Sequence, residues 1–270
     1  MDINLWWLSY FLLGAFIGFI GGLLGIGGGA VIVPVLTILF VAQNFSDTTL
    51  LHLALGTSMA SIVLTSASSA YAHHKRQSVR WDLVKILAPG VIIGTFSGSF
   101  LAANVSAKPL SLFFVIFMSY MAYNMLFNNK KNQINRNMPN KIITSIVGFV
   151  IGGISALVAI GGGILSVTFM SNWCSIKIHN AIGTSAAIGF PIAAAGALGY
   201  LFNGFGSADL PEYSLGFIYL PAFILINCAS VFTAPIGAKV AHKLPVAILK
   251  KLFACLILLL CCNMLYKLFL

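Results

Sequence analysis

The chain has 270 residues, 59% of them hydrophobic and only 7% charged. A soluble domain carries roughly a quarter charged residues, so a water-soluble globule is excluded and an all-α integral membrane protein is predicted. The formal net charge of +10 is no nucleic-acid footprint, because the fifteen Lys and Arg lie almost wholly between apolar runs, as loop charges do in a multi-pass membrane protein. At ~20 apolar residues per span, the length leaves no room for a separate soluble domain.

Leu5 to Leu24 is apolar, opens on Trp6 and Trp7, and carries Gly14, Gly18 and Gly22 at every fourth position. The tryptophans suit an interfacial anchor, and the glycines line one face for close helix packing. The N-terminal Met-Asp-Ile-Asn lacks the basic region of a cleavable leader, so this stretch is expected to be a retained span. Gly25 to Gly29 interrupts it, and Ala30 to Val41 follows with Pro34 inside. Twelve residues make ~18 Å of helix, too short for a ~30 Å hydrocarbon core, which predicts a half-helix. His52 to Ala72 is a hydroxyl-rich span, His73 to Asp82 a basic loop, and Leu83 to Ala103 and Pro109 to Phe127 are further spans.

Asn128 to Lys141 is the longest polar stretch and is expected to be a cytoplasmic linker. It divides a first transmembrane repeat, 1–127, from a second, 142–270. The second half repeats the order of the first. Ile142 to Ile160 is a span whose Gly148, Gly152 and Ala156 match Gly14, Gly18 and Gly22 at an offset of 134. Gly161 to Gly163 breaks it, and Ile164 to Trp173 is again too short to cross. Ala181 to Asn203, Leu215 to Ala238 and Val246 to Leu270 are the remaining spans. A second motif is duplicated at an offset of 127, His52-Leu-Ala-Leu-Gly-Thr-Ser58 against His179-Asn-Ala-Ile-Gly-Thr-Ser185.

With five segments per half, the basic loop 73–82 with Lys85 beside it and the stretches 128–141, 172–180 and 237–251 all fall on one side. The positive-inside rule makes that side cytoplasmic and both termini external. An odd number of segments turns the second half upside down. The expected architecture is therefore two inverted five-segment repeats, about eight full spans plus two short half-helices at glycine breaks, a pattern that alternating-access transporters share.

Chemistry is expected in two places. Unwound backbone is tolerated at membrane depth where it lines a cavity, and a helix that starts after the glycines points free N–H groups and a positive dipole end into the break. Gly27, Gly28 and Gly29, with Gly161, Gly162 and Gly163, are thus candidate anion ligands; their alternative role is tight helix crossing. The second place is the duplicated motif. Gly56, Thr57 and Ser58, with Gly183, Thr184 and Ser185, are expected in first helical turns, where hydroxyls and free N–H groups can both hold an oxyanion; the alternative is helix-to-helix glue. His52 and His179 suit proton coupling or helix capping. No Asp or Glu falls within a predicted span, which removes the usual ion relay and favours a small anion over a cation. No cofactor or metal is expected, since the five cysteines show no ligand spacing. There is no His-Glu-x-x-His motif either, so no enzyme is expected.

Two Ile-Gly-Gly-Gly breaks, the first followed by Val33-Pro34, each leading to His-x-Ala-x-Gly-Thr-Ser, resemble the sulfite exporter TauE/SafE family of membrane permeases. The likeness runs from about Leu8 to Leu268. It implies transport, named for export, of small sulfur-containing anions such as sulfite or organosulfonates across the bacterial plasma membrane. The partners it implies are that anion and the lipid bilayer, with homo-oligomer formation left open; the alternatives are a passive anion channel or a carrier of another small carboxylate or inorganic anion. The family's glycine motif falls on Gly25, Gly27, Gly28, Gly29 and Pro34, and on Gly161, Gly162 and Gly163. Thr168 stands where the second proline would be, and Ala159 replaces the glycine matching Gly25. A less sharp second break is expected.

Overall fold

Glycine, proline and the apolar runs divide the chain into ten helices, seen in a computed structural model that describes residues 3–24, 28–127, 140–207, 209–241 and 246–269. In chain order they are α1 (Ile3–Leu24), α2 (Gly29–Ala42), α3 (Leu50–His74), α4 (Trp81–Asn104), α5 (Ala107–Phe127), α6 (Lys141–Val158), α7 (Gly163–Asn172), α8 (Ile178–Gly204), α9 (Leu220–Ala241) and α10 (Val246–Phe269). Among the described residues, seven helices are long and apolar enough to cross a bilayer. The helix α10 adds 24 residues with an apolar stretch over Lys251–Tyr266. The two short helices, α2 and α7, have 14 and 10 residues. This is an all-α integral membrane protein that crosses the bilayer several times.

Two helices form its centre. Of the apolar windows of α3 and α8, 83% and 72% are buried inside the protein, against 33–44% for the other five long helices. They pack on each other, and around them α3 packs on α9 and α2 while α8 packs on α4 and α7. The remaining main contacts are α1 with α9, α4 with α6, and α5 with α10. Each of these pairs either maps onto itself or exchanges with another when α1–α5 are matched in order to α6–α10. The outer helices carry exposed Leu12, Ile93, Ile116, Ile143 and Phe232, which suits a lipid-facing surface.

The glycine stripes explain how the outer helices come so close. A Cβ at Gly14, Gly18 or Gly22 of α1 would overlap the backbone of Ile226, Ser230 or Ala234 on α9. In the second half, Gly148 and Gly152 of α6 lie against Leu87 and Val91 of α4. Close backbone approach exchanges side-chain bulk for dispersion contact along the whole helix.

Three details depart from the sequence reading. The polar loop after α8 ends in a short antiparallel hairpin, Ser214–Leu215 paired with Ile218–Tyr219, so α9 starts at Leu220 and not at 215. Its Gly216 has φ +55 and lies on the Leu201 carbonyl, where no side chain fits. Second, α3 and α8 begin at Leu50 and Ile178, which places Thr57, Ser58, Thr184 and Ser185 beyond the first turn. Only the first four N–H groups of a helix lie outside its ladder, so these four residues offer hydroxyls but no free N–H. Third, the second break is as abrupt as a glycine would make it. Ala159 adopts φ +46 at the end of α6, and its N–H bonds the Ser155 carbonyl. Left-handed backbone costs an L-residue roughly 1–2 kcal/mol, which the packing of a fully buried Ala159 imposes. The linker 128–141 lies outside the described residues up to position 139. Asn140 then caps α6 by accepting the Ile142 N–H.

Candidate functional site

The two short helices start alike. Gly28 caps α2 at φ +79 and Gly162 caps α7 at φ +68, the left-handed conformation that favours glycine. A Cβ at Gly28 would overlap Ile17 of α1, and one at Gly162 would overlap Ile192 of α8. The Gly28 carbonyl accepts the Val31 N–H at 3.0 Å, and the Gly162 carbonyl accepts the Ser166 N–H at 2.8 Å. Gly27 lies outside the described residues.

The contacts of each end show how the hairpins run. At one end of the bundle Thr49 bonds the Asp209 carbonyl, Tyr10 bonds Gln43, and His52 reaches Val105. At the other end His73 reaches the Gly22 carbonyl, and the loop of Ser78 and Arg80 meets α8 at Gly183 and Thr184. The helix α2 leaves its break and ends at Gln43, at the first of these ends. The helix α7 ends just before α8 begins, at the second. The two short helices therefore return to opposite ends of the bundle.

The start of α2 meets the second break inside it. A Cβ at Gly29 would overlap the Ala159 carbonyl of the other break and come within 2.7 Å of Ile62 Cδ1 on α3. On α8, Gly189 lies where a Cβ would be 3.0 Å from the Gly161 oxygen and 3.4 Å from Ser66. Gly163 offers its carbonyl to the Ser185 hydroxyl at 3.1 Å. Around this meeting point Ser58, Ser155 and Ser166 are completely buried, and their hydroxyls have no partner. Among the described residues, the buried polar side chains are hydroxyls, two histidines and Asn227, with no carboxylate, Lys or Arg. The first-turn N–H groups of α2 and α7 lie outside their helical ladders, and each helix start carries about half a positive charge. A buried, uncharged centre with two positive dipole ends and spare hydroxyls can hold a small anion.

The duplicated motif divides its work. In each copy the Gly-Thr pair clasps a loop of the other half. Gly56 lies on the Phe217 carbonyl and Thr57 Oγ1 accepts the Tyr219 N–H at 2.9 Å. Gly183 lies 2.8 Å from the Ser78 carbonyl, measured from its would-be Cβ, and Thr184 Oγ1 accepts the Arg80 N–H at 3.0 Å. The Arg80 side chain is itself held by Asp82 at 2.7 Å, a hydrogen bond that raises its pKa further. The final serines face inward, Ser185 onto Gly163 and Ser58 one turn before Ile62. Thr57 and Thr184 are thus occupied as loop anchors.

Four further candidates lie outside the meeting point. His52 Nε2 lies 3.2 Å and 3.0 Å from the Ala102 and Val105 carbonyls, and its ring lies 5.3 Å from Phe217. It caps the end of α4, ten residues and about 15 Å of helix from Ile62. His179 is exposed in the first turn of α8. Pro34 is buried in α2, whereas Thr168, its counterpart, lies on an exposed face of α7. Proline has no N–H, so the Ala30 carbonyl loses its helical donor beside the first break. Sequence reasoning missed Ser155, Ser166, Ile62 and Gly189. Ser166 alone left a signal, a hydroxyl in the first turn of an apolar half-helix.

Residues 10–264 match the family described as sulfite exporter TauE/SafE. A probable membrane transporter protein of Haemophilus influenzae is 38% identical over 256 residues, 95% of this chain and 97% of that relative. Probable membrane transporter protein YdhB of Bacillus subtilis is 26% identical, over 90% of this chain and 92% of its own length. Probable membrane transporter protein MJ0441 of Methanocaldococcus jannaschii is 24% identical, over 86% and 85%. No solved structure gives a significant match. A match across nearly the whole chain, on a bundle whose glycine breaks meet at a buried centre, means that the chain belongs to the sulfite exporter TauE/SafE family.

Proposed function

We propose that this protein is a secondary transporter, working as an exporter, that carries a small sulfur-containing anion such as sulfite or an organosulfonate across the plasma membrane. One observation carries the reading: the start of α2 at Gly29 meets the second break at the Ala159 carbonyl, in a buried centre with unpartnered serine hydroxyls. The substrate is held by first-turn N–H groups of both short helices and by Ser58 and Ser166, with Ser185 bracing Gly163. A sulfite or sulfonate group has three oxygens that accept hydrogen bonds and suits such a donor set.

The return of α2 and α7 to opposite ends of the bundle, with the exchange of packing partners between α1–α5 and α6–α10, supports two inverted repeats rocking about one central site. The Gly-Thr clasps at Tyr219 and Arg80 then hold the two mouths shut from opposite ends. Membership in the family and the names of its relatives favour a transporter over an enzyme.

The deciding measurement is counterflow of radiolabelled sulfite in proteoliposomes. A carrier accelerates uptake when unlabelled sulfite is trapped inside. Uptake indifferent to the trapped anion would make the protein a pore, and no uptake of sulfite or any sulfonate would sink the substrate class.

A further inference from the structure

The interface of α3 with α9 is polar in a way that packing does not require. Thr65 of α3 bonds Ser230 Oγ at 2.9 Å and Ser68 bonds the Val231 carbonyl at 2.9 Å. Ser61 lies on the strip of α3 between those two residues, and Asn227 lies on the strip of α9 between Ser230 and Val231. The helices run in the same direction, since Thr57 meets Tyr219 before Thr65 meets Ser230. Ser61 and Asn227 therefore stand at about the same level, each one turn before the Thr65–Ser230 bond. Ser61 is fully buried and Asn227 is 5% exposed, yet Ser61 Oγ and Asn227 Oδ1 have no partner. The Asn227 amide is oriented by donation of Nδ2 to the Phe223 carbonyl at 2.8 Å, so its open atom can only accept.

The other half of the molecule supplies the control. Under the offset of 127, Ser61 and Thr65 correspond to Ile188 and Ile192 of α8. The glycine contacts Gly14 to Ile226, Gly18 to Ser230, Gly148 to Leu87 and Gly152 to Val91 match Asn227 and Ser230 to Ala88 and Val91 of α4. The same packing between α4 and α8 is built without these oxygens, whereas α3 and α9 bury two of them, Ser61 Oγ and Asn227 Oδ1, unpaired.

We propose that the α3–α9 interface holds a small monovalent cation, sodium in size, bound by Ser61 Oγ, Asn227 Oδ1 and the Thr65 hydroxyl oxygen. Neutral oxygens without a carboxylate suit a monovalent ion and not a calcium or magnesium ion. Ser58 lies three residues before Ser61, and Ile62 beside it touches Gly29, so the cation would lie next to the central site. This deepens the transport reading and rests on it: the charge that holds the cation firmly is the substrate anion. Binding of either ion then strengthens the other by the same factor, so the two cross together through a bundle whose buried side chains, among the described residues, include no carboxylate.

The test measures thermal unfolding of the purified full chain in sodium, potassium or N-methylglucamine gluconate at constant ionic strength, with and without sulfite. Sodium alone is expected to raise the melting temperature of the wild type. Sulfite is expected to lower the apparent sodium dissociation constant about 5-fold or more. Asn227→Leu and Ser61→Ala, which each remove one open oxygen, keep their stability in potassium and lose the sodium response. A wild type indifferent to sodium, or variants that respond as it does, overturns the proposal and leaves only a bridging water in the gap. The shift with sodium alone is read without sulfite and against potassium gluconate, and failure of the anion reading shows itself separately, as absent sulfite counterflow.

Discussion

Neighbouring residues of the duplicated motif have opposite duties. Thr57 and Thr184 spend their oxygens on the Tyr219 and Arg80 N–H groups, whereas Ser58, next in sequence to Thr57, is buried with an open hydroxyl. Leaving a buried N–H without an acceptor costs roughly 1–3 kcal/mol. Thr57→Val and Thr184→Val should each lower stability by about that much in chemical or thermal unfolding. Ser58→Ala removes no bond and should leave stability unchanged, while sulfite flux falls roughly 5- to 10-fold, the worth of one neutral hydrogen bond. A Ser58→Ala protein with full flux would take Ser58 out of the site. The sequence alone placed all four residues in one class, because a hydroxyl's partner depends on what the other half of the chain brings to it.

At the scale of elements, the fold rests on helices that approach backbone to backbone, and two adjacent glycines of α6 test this. Gly152 faces Val91 and Thr95 of α4 with no space for a methyl group, whereas the nearest atom to a Cβ on Gly153 is the Gly94 carbonyl at 3.6 Å. Gly152→Ala should destabilise by about 1–3 kcal/mol through overpacking. Gly153→Ala should be neutral or stabilising by up to ~1 kcal/mol, because alanine favours the helix. Equal effects of the two substitutions on the unfolding midpoint would contradict the close α4–α6 contact. The stripe itself was legible from its spacing of four, and so were the short helices from their length. The start of α9 was not, because Leu215 to Tyr219 are as apolar as a helix and become a hairpin only against Leu201 and Thr57. The turn at Ala159 escaped for a related reason: alanine resists a left-handed backbone, and only the packed surroundings hold it there.

For the whole molecule, the inverted arrangement is a statement about sides. Single cysteines at Gln77 and Ser207, in a background without other cysteines, should react with an impermeant maleimide from the cytoplasmic and external faces respectively. Labelling of both from one face would rule out the proposed topology. Membrane class, helix count, the duplication and the family were all readable in the sequence, because hydrophobicity, glycine runs and repeated motifs are local properties of the chain. Which residues meet was decided only in three dimensions. The glycine breaks touch because the start of α2 at Gly29 packs on the Ala159 carbonyl where α6 ends, and Gly-Thr became a clasp because each copy packs on the opposite half. The open oxygens of Ser61 and Asn227, 166 residues apart in sequence, share a level only because α3 and α9 run side by side. No local pattern encodes such a juxtaposition; long-range packing creates it.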